Sequence, residues 1–399
     1  MDITIFPRKL KGTVKAIPSK SQAHRILICA AFADRDTYMI CPDTNQDIEA
    51  TAGCLRSLGA DILRTSDGYQ VSPIQTLPKS ATLDCKESGS TLRFLLPVCA
   101  AVGVDTTFLM SGRLPFRPLS PLWEELERMG CNLSRPTENT IRCHGQLHSG
   151  SYSIDGSVSS QFITGLLFAL GLLPGENSLE ITGNLESKPY VDLTLQVLSM
   201  FGKEFDGTRF IKESSLISPG QVTVEGDWSN GAFFLAAKAM GNEVEITGLS
   251  DQSKQGDRAA KQILNDLSQH ITIYGNDIPD LVPILAITAG AKKGATFEQI
   301  GRLRLKESDR VAAVAEMLSA LGAAVQVSGE RMTVFPANYQ GCMIDSKNDH
   351  RIAMSAAIAS TVTSGPVTIL NAQCVSKSYP HFWSEFTRLG GYYEQYIRK

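Results

Sequence analysis

The sequence predicts a mixed α/β fold made of six copies of one unit, with helices inside and partly exposed sheets outside. Three observations predict it. Six segments end a helical pattern in the same way. Six others are apolar nearly all round. Short alternating runs lie between them.

The six endings, in chain order, are LRSLGADI, LERMGCNL, LSMFGKEF, LNDLSQHI, LSALGAAV and FTRLGGYY. Their small residues are Gly59, Gly130, Gly202, Ser268, Gly322 and Gly390. A glycine just past a helix takes the left-handed cap because it has no Cβ to clash. Recurrence of such a cap every ~54–72 residues marks a repeated architecture.

The second pattern runs ILICAAFA, LRFLLPVCAAV, FITGLLFALGLL, GAFFLAAKAM, LVPILAITAG and IAMSAAIAST. Helices with no polar face belong inside a core. The capped helices are amphipathic instead, as in ESDRVAAVAEMLSALG. TVKAIP, YSIDG, SLEITG, QVTVEG, EVEITG, MTVFP and VTILN alternate with period two and are expected to be strands of half-exposed sheet.

A chain of 399 residues is expected to form two to three domains. Its 43% hydrophobic and 20% charged content is that of a soluble globular enzyme. A net charge of −3 argues against a general nucleic-acid binder. Nine cysteines form no CxxC and no Cys/His cluster, so a reducing compartment is expected, without a disulfide frame or metal site. The N-terminus lacks a continuous apolar core of a signal peptide, and FITGLLFALGLLPG is too short to span a bilayer. A cytoplasmic protein with no membrane association is the expectation.

Chemistry gathers at the starts of the apolar helices: PSKSQAHR, KESGSTLR, GSVSSQ, EGDWSN, NDIPD and KNDHR. Singly, each Ser, Asp or Asn reads as an N-cap. Together they describe several helix N-termini, each with free N–H groups and the positive end of a dipole. Lys20, Arg25 and Arg351 add full charges. The pattern predicts an anion site for phosphate or carboxylate.

Ten segments in order resemble the 5-enolpyruvylshikimate-3-phosphate synthase family. They are PSKSQAHR, ESGSTLRF, FRPLSPL, SSQF, SKPYVD, EGDWSNGAFFL, DIPD, RLKESDR, NDHRIAM and CVSKSYPHF. The resemblance implies a two-domain inside-out α/β barrel, each domain three βαβαββ repeats with buried helices and outer sheets. Residues 1–18 and 227–399 would form a discontinuous first domain with the catalytic Asp, Lys and Glu and the phosphoenolpyruvate clamp. Residues 19–226 would form an inserted domain that mainly binds shikimate 3-phosphate. The implied reaction moves the enolpyruvyl group of phosphoenolpyruvate to the 5-hydroxyl of shikimate 3-phosphate by addition and elimination of phosphate. It serves chorismate and aromatic amino-acid biosynthesis, in a monomer without cofactor.

Roles follow motif by motif. Asp280 would be the base at the 5-hydroxyl with Lys306 beside it, Glu307 the proton donor and acceptor at C3, and Lys20 a third catalytic group. Shikimate 3-phosphate would be held by Lys20, Ser21, Arg25, Ser159, Ser160, Gln161, Ser187, Tyr190, Asp280 and Lys306. Phosphoenolpyruvate would meet Lys20, Gly89, Arg117, Gln161, Arg310, Arg351 and Lys377, arginine suiting the forked pairing with carboxylate and phosphate. Taken alone, Asp280 reads as a helix cap, Glu307 with Arg310 as a surface pair, His24 and His350 as ordinary polar contacts, and Arg93 as a structural cation. The ordered motifs decide the roles of Asp280, Glu307 and Arg310. Arg302 and Phe116 depart from the family's pattern.

Three rivals compete. UDP-N-acetylglucosamine enolpyruvyl transferases share the fold and usually carry a loop cysteine, which SGRLPFRPLS lacks. A non-catalytic anion-binding relative would not need Asp280, Lys306, Glu307 and Arg351 together. An RNA-end-processing enzyme of similar repeat pattern fits poorly with the net charge.

Overall fold

The computed structural model describes residues 1–211 and 215–396. The chain forms two compact units, one of residues 1–17 and 225–399 and one of residues 18–224. These boundaries stand beside the 18/19 and 226/227 boundaries expected from the sequence. Helices and strands follow one order. In the second unit, strand Ser80–Asp84 leads to helix Gly89–Val102, strand Asp105–Leu109, helix Leu122–Arg128 and the hairpin Cys131–Thr137 with Thr140–Gly145. In the first unit, Ile271–Tyr274, Val282–Gly290, Ala295–Glu298, Arg310–Ala320, Val325–Ser328 and Arg331–Val334 repeat that order.

Each of these repeats makes one four-stranded sheet. The two strands flanking the apolar helix pair in parallel, which a helical crossover permits, and the hairpin adds antiparallel strands to one edge. Other sheets borrow a strand from far along the chain. Lys11–Lys15 pairs with Glu243–Thr247, and Gln221–Thr223 with Thr37–Ile40. This closes each unit on itself around the point where one sequence is inserted in the other.

The apolar helices are buried as their sequences require. Every residue of Val282–Gly290 is buried, as is Phe162 through Gly171 of Ser160–Leu172. Gly165 lets that helix press on its neighbour: a Cβ there would stand 2.2 Å from the Arg93 carbonyl oxygen. The alternate helices bury one stripe, in Arg310–Ala320 the residues Arg310, Val311, Ala313, Val314, Met317 and Leu318. The five glycines of the repeated endings, Gly59, Gly130, Gly202, Gly322 and Gly390, take positive φ between 79° and 114°. Ser268 is not among the positive-φ residues, consistent with the Cβ that makes this conformation costly. Among the described residues no helix is long and apolar enough to cross a membrane.

Five apolar helices start on a capping side chain: Ser19, Ser88, Ser159, Asp227 and Asp349 each accept a backbone N–H of the first turn. The sixth, Val282–Gly290, has no side-chain cap. Asp280, two residues ahead of it, is engaged elsewhere.

Candidate active site

In the first unit the side chains converge on two arginines. Arg310 opens its helix at 1% side-chain exposure and sends each nitrogen to a different carboxylate. Its Nη1 lies 2.7 Å from Asp280 Oδ1, Nη2 2.6 Å from Glu307 Oε2, and Nε 2.8 Å from Asp349 Oδ2. The pair Glu307–Arg310 is therefore no surface contact. Arg351 donates from Nη2 to Asp280 Oδ2 at 3.0 Å, and from Nη1 to the Ser229 carbonyl at 3.5 Å. Asp280 thus stands between two guanidinium groups, where the helix-cap role would not place it. Lys377 Nζ donates to the Asn348 carbonyl at 2.8 Å, one turn of chain from Arg351.

These contacts set the protonation states. Burial pushes the Asp280 carboxyl up, but Arg351, Lys306 and Arg310 outweigh it and hold the group well below the usual carboxylate range. Asp349 is lowered too, Arg310 overcoming burial. Arg310 is raised, its three carboxylates overcoming the cost of burial. Lys306 goes the other way. Burial pulls it down to about 8, Asp280 resists, and the positive charges of Arg310 and Arg302 assist. Arg302, the departure noted in the sequence, thereby takes part in tuning Lys306. Asp257 is buried beside this cluster, accepts a hydrogen bond from Ser229 Oγ, and is pushed up to about 7 by burial and by Asp280. The two neighbouring carboxyls are shifted in opposite directions, Asp280 toward the charged form by its cations and Asp257 toward the protonated form by burial.

The second unit brings together two further sets. Lys20 begins helix Lys20–Ala31 and its Nζ lies 2.8 Å from Asp47 Oδ2. One turn on, buried Arg25 donates from Nε to Thr194 Oγ1 at 2.8 Å, from Nη1 to the Ser21 carbonyl at 2.6 Å and from Nη2 to the Tyr190 carbonyl at 2.9 Å. It also stands 5.0 Å over the Phe94 ring, and burial pulls it down to about 9. Arg25 therefore ties Ser21 to Tyr190. Ser187 holds the helix that carries Tyr190 at a positive φ of 56°, a backbone state that costs a non-glycine residue energy and is found at functional sites.

The other set surrounds Gly89. A Cβ on Gly89 would lie 2.6 Å from Arg93 Nη1 and 2.7 Å from Arg117 Nη1, so two guanidinium groups occupy the space that glycine leaves. Arg93 donates to the Pro118 carbonyl at 3.0 Å. Gln161 Nε2 donates to Ser90 Oγ at 3.0 Å, which ties the start of helix Ser160–Leu172 to that of Gly89–Val102. Ser159 caps the former and Ser160 opens it, buried.

Four residues complete these clusters without having been singled out. Asp349 and Asp47 were visible as acidic residues in KNDHR and in a helix's first turn, but nothing local said which cation each meets. Ser90 adjoins Gly89. Asp257 lies in QSKQGDR, which carries no signal at all.

The family model described as EPSP synthase (3-phosphoshikimate 1-carboxyvinyltransferase) matches residues 6–386. A 3-phosphoshikimate 1-carboxyvinyltransferase of Clostridium kluyveri is 39% identical over 416 residues, covering 98% of this chain and 97% of the relative. One of Clostridioides difficile is 36% identical over 425 residues, covering 98% and 97%. The solved EPSP synthase of Acinetobacter baumannii superposes with a TM-score of 0.80 at 22% identity, covering 99% of this chain and all of that one, and so speaks for the fold.

Proposed function

This chain belongs to the EPSP synthase family, and from that premise we propose that it transfers the enolpyruvyl group of phosphoenolpyruvate to the 5-hydroxyl of shikimate 3-phosphate, with release of phosphate. The observation that carries this is Asp280, ionised between Arg310 and Arg351 with Lys306 and Glu307 beside it. That group contains a base, a tunable cation, a second acid and two forked anion binders.

The geometry also suggests how the base is switched on. A carboxylate held far below its usual range is a weak base, because basicity follows pKa. An incoming phosphate or carboxylate competes for Arg351 and Arg310 and withdraws them from Asp280. Asp280 then regains basicity as the substrate arrives and takes the proton of the 5-hydroxyl. Glu307 shares Arg310 and is released by the same exchange, to give a proton to C3 and later remove one. Lys306, Arg310, Arg351 and Lys377 balance the negative charge that collects on the tetrahedral intermediate.

The second unit serves the same reaction. Lys20, Ser21, Arg25, Ser187 and Tyr190 form the shikimate 3-phosphate set, with Ser159, Ser160 and Gln161. Gly89 and Arg117, with Lys20 and Gln161, form the rest of the phosphoenolpyruvate set. The same reading makes each unit three βαβαββ repeats of an inside-out barrel, and the enzyme a cytoplasmic monomer.

Phosphate release from phosphoenolpyruvate tests the reading, with shikimate 3-phosphate present, absent, or replaced by UDP-N-acetylglucosamine. Release only with shikimate 3-phosphate is expected. Asp280→Asn and Glu307→Gln should each lower kcat by ~10²–10⁴ with smaller changes in KM. Near-native kcat in either variant would remove that residue from its role, and release with the nucleotide sugar would favour the sister activity.

A further inference from the structure

Beneath the helix starts of the second unit runs a chain of hydrogen bonds that none of these roles uses. His24 Nδ1 meets Thr51 Oγ1 at 2.7 Å, Thr51 Oγ1 meets Thr91 Oγ1 at 2.7 Å, and Thr91 Oγ1 donates to Ser88 Oγ at 2.7 Å. His24, Thr51 and Thr91 are 0% exposed and Ser88 1%.

Counting protons gives the chain a direction. Thr91 spends its hydroxyl proton on Ser88, so its oxygen accepts from Thr51. Thr51 has then spent its own proton and accepts from His24, which must carry its proton on Nδ1. His24 Nε2 is left bare, with no hydrogen-bond partner among the described residues. A second proton there would be buried beside two cations. Burial first, then Lys20 and Arg25, accordingly push the imidazole well below its usual range, and it stays neutral.

Helix geometry gives the chain its place. Lys20 and His24 lie one turn apart on Lys20–Ala31, and Asp47 and Thr51 one turn apart on Gln46–Ser57. The Lys20–Asp47 and His24–Thr51 bridges are therefore stacked rungs between the same two helices. Thr91 and its cap Ser88 then fasten the start of Gly89–Val102 to those rungs.

We propose that His24, Thr51 and Thr91 are positioning residues for phosphoenolpyruvate, holding the Gly89 helix start in register with the Lys20–Asp47 pair. The proposal rests on the assignment of Lys20 and Gly89 to that substrate. Its physical basis is that buried hydroxyls linked in series hold a fixed geometry only while every link is made. A break anywhere should loosen Gly89 against Lys20, and should leave the Arg25–Tyr190 contacts in place.

Thr51→Val and Thr91→Val remove one hydroxyl each at nearly constant volume, Thr91→Ser restores it, and Lys20→Ala controls for the underlying assignment. KM for each substrate, kcat and Tm are measured. Either valine variant should raise KM for phosphoenolpyruvate ~5–10-fold, with KM for shikimate 3-phosphate within about twofold, since a lost buried bond leaves its partner unsatisfied. Thr91→Ser should be near wild type. The double valine variant should be no worse than the worse single, because one break already severs the line. An unchanged phosphoenolpyruvate KM in a folded valine variant, even with a lower Tm, overturns the proposal, as does an equal rise for both substrates. If Thr91→Val does not fold, Thr51→Val decides by the same criteria. If Lys20→Ala leaves phosphoenolpyruvate KM unchanged, the assignment beneath the proposal fails and the proposal with it.

Discussion

Replacing Arg310 by lysine tests the first unit's charge cluster most severely. Charge is kept and shape is lost. The guanidinium, 1% exposed, reaches Asp280, Glu307 and Asp349 at 2.7, 2.6 and 2.8 Å from three separate nitrogens. A lysine ammonium is a single point on a flexible stem and cannot span carboxylates arrayed around a planar fork. Asp280 keeps Arg351 at 3.0 Å, so the loss falls on Glu307 and Asp349. Two charge-assisted bonds at ~1.5–3 kcal/mol each, with Asp349 left buried, give a loss of about 3–6 kcal/mol. That is a large part of the ~5–15 kcal/mol that holds a typical protein folded. Urea unfolding followed by Trp228 and Trp383 in a Trp123→Phe background reads the unit concerned. The sign with pH also follows. Asp280 and Asp349 are held below their unfolded values, so their contribution is complete above about pH 4–5 and is lost as pH falls through the folded values. Arg310→Lys should therefore flatten the acid limb of stability as well as lower it. A loss under ~1 kcal/mol would mean that the three bonds are screened like exposed pairs, and the argument from a buried hub would fail.

Two further outcomes follow from the same geometry. Lys306 is pulled down to about 8, so the free enzyme loses that charge as pH rises, and kcat/KM should fall through about pH 8. Lys306→Arg should stay flat to higher pH, and a flat wild-type profile would show that Lys306 need not be charged. Gly89→Ala would put a methyl 2.6 Å from Arg93 Nη1 and 2.7 Å from Arg117 Nη1. Displacing Arg117 should raise KM for phosphoenolpyruvate about tenfold or more while stability changes little, and an unaltered KM would separate Arg117 from that substrate.

Much of the frame was legible along the chain. The alternation of apolar and amphipathic helices, the serine and aspartate caps and the repeated glycine ends depend on short stretches, because helix periodicity and left-handed backbone are local properties. The residue types of the site were legible for the same reason: cations and hydroxyls at the starts of buried helices announce an anion site wherever the helices go. What the sequence by itself left open was partnership. Taken alone, Asp280 read as a cap, and only packing set it between Arg310 and Arg351, 30 and 71 residues away. It showed Asp349 as a helix start, and the fold made it the buried counter-charge of Arg310. It gave no hint of Asp257, nor that His24 would join Thr51 and Thr91 across two neighbouring helices. Nor could it supply the protonation of Lys306, which depends on how much water the surrounding chains remove and which charges they bring near. A local signal fixes what a residue can do. Which group it meets, and in which charge state, is set by contacts between distant segments, and these exist only once the cores have packed.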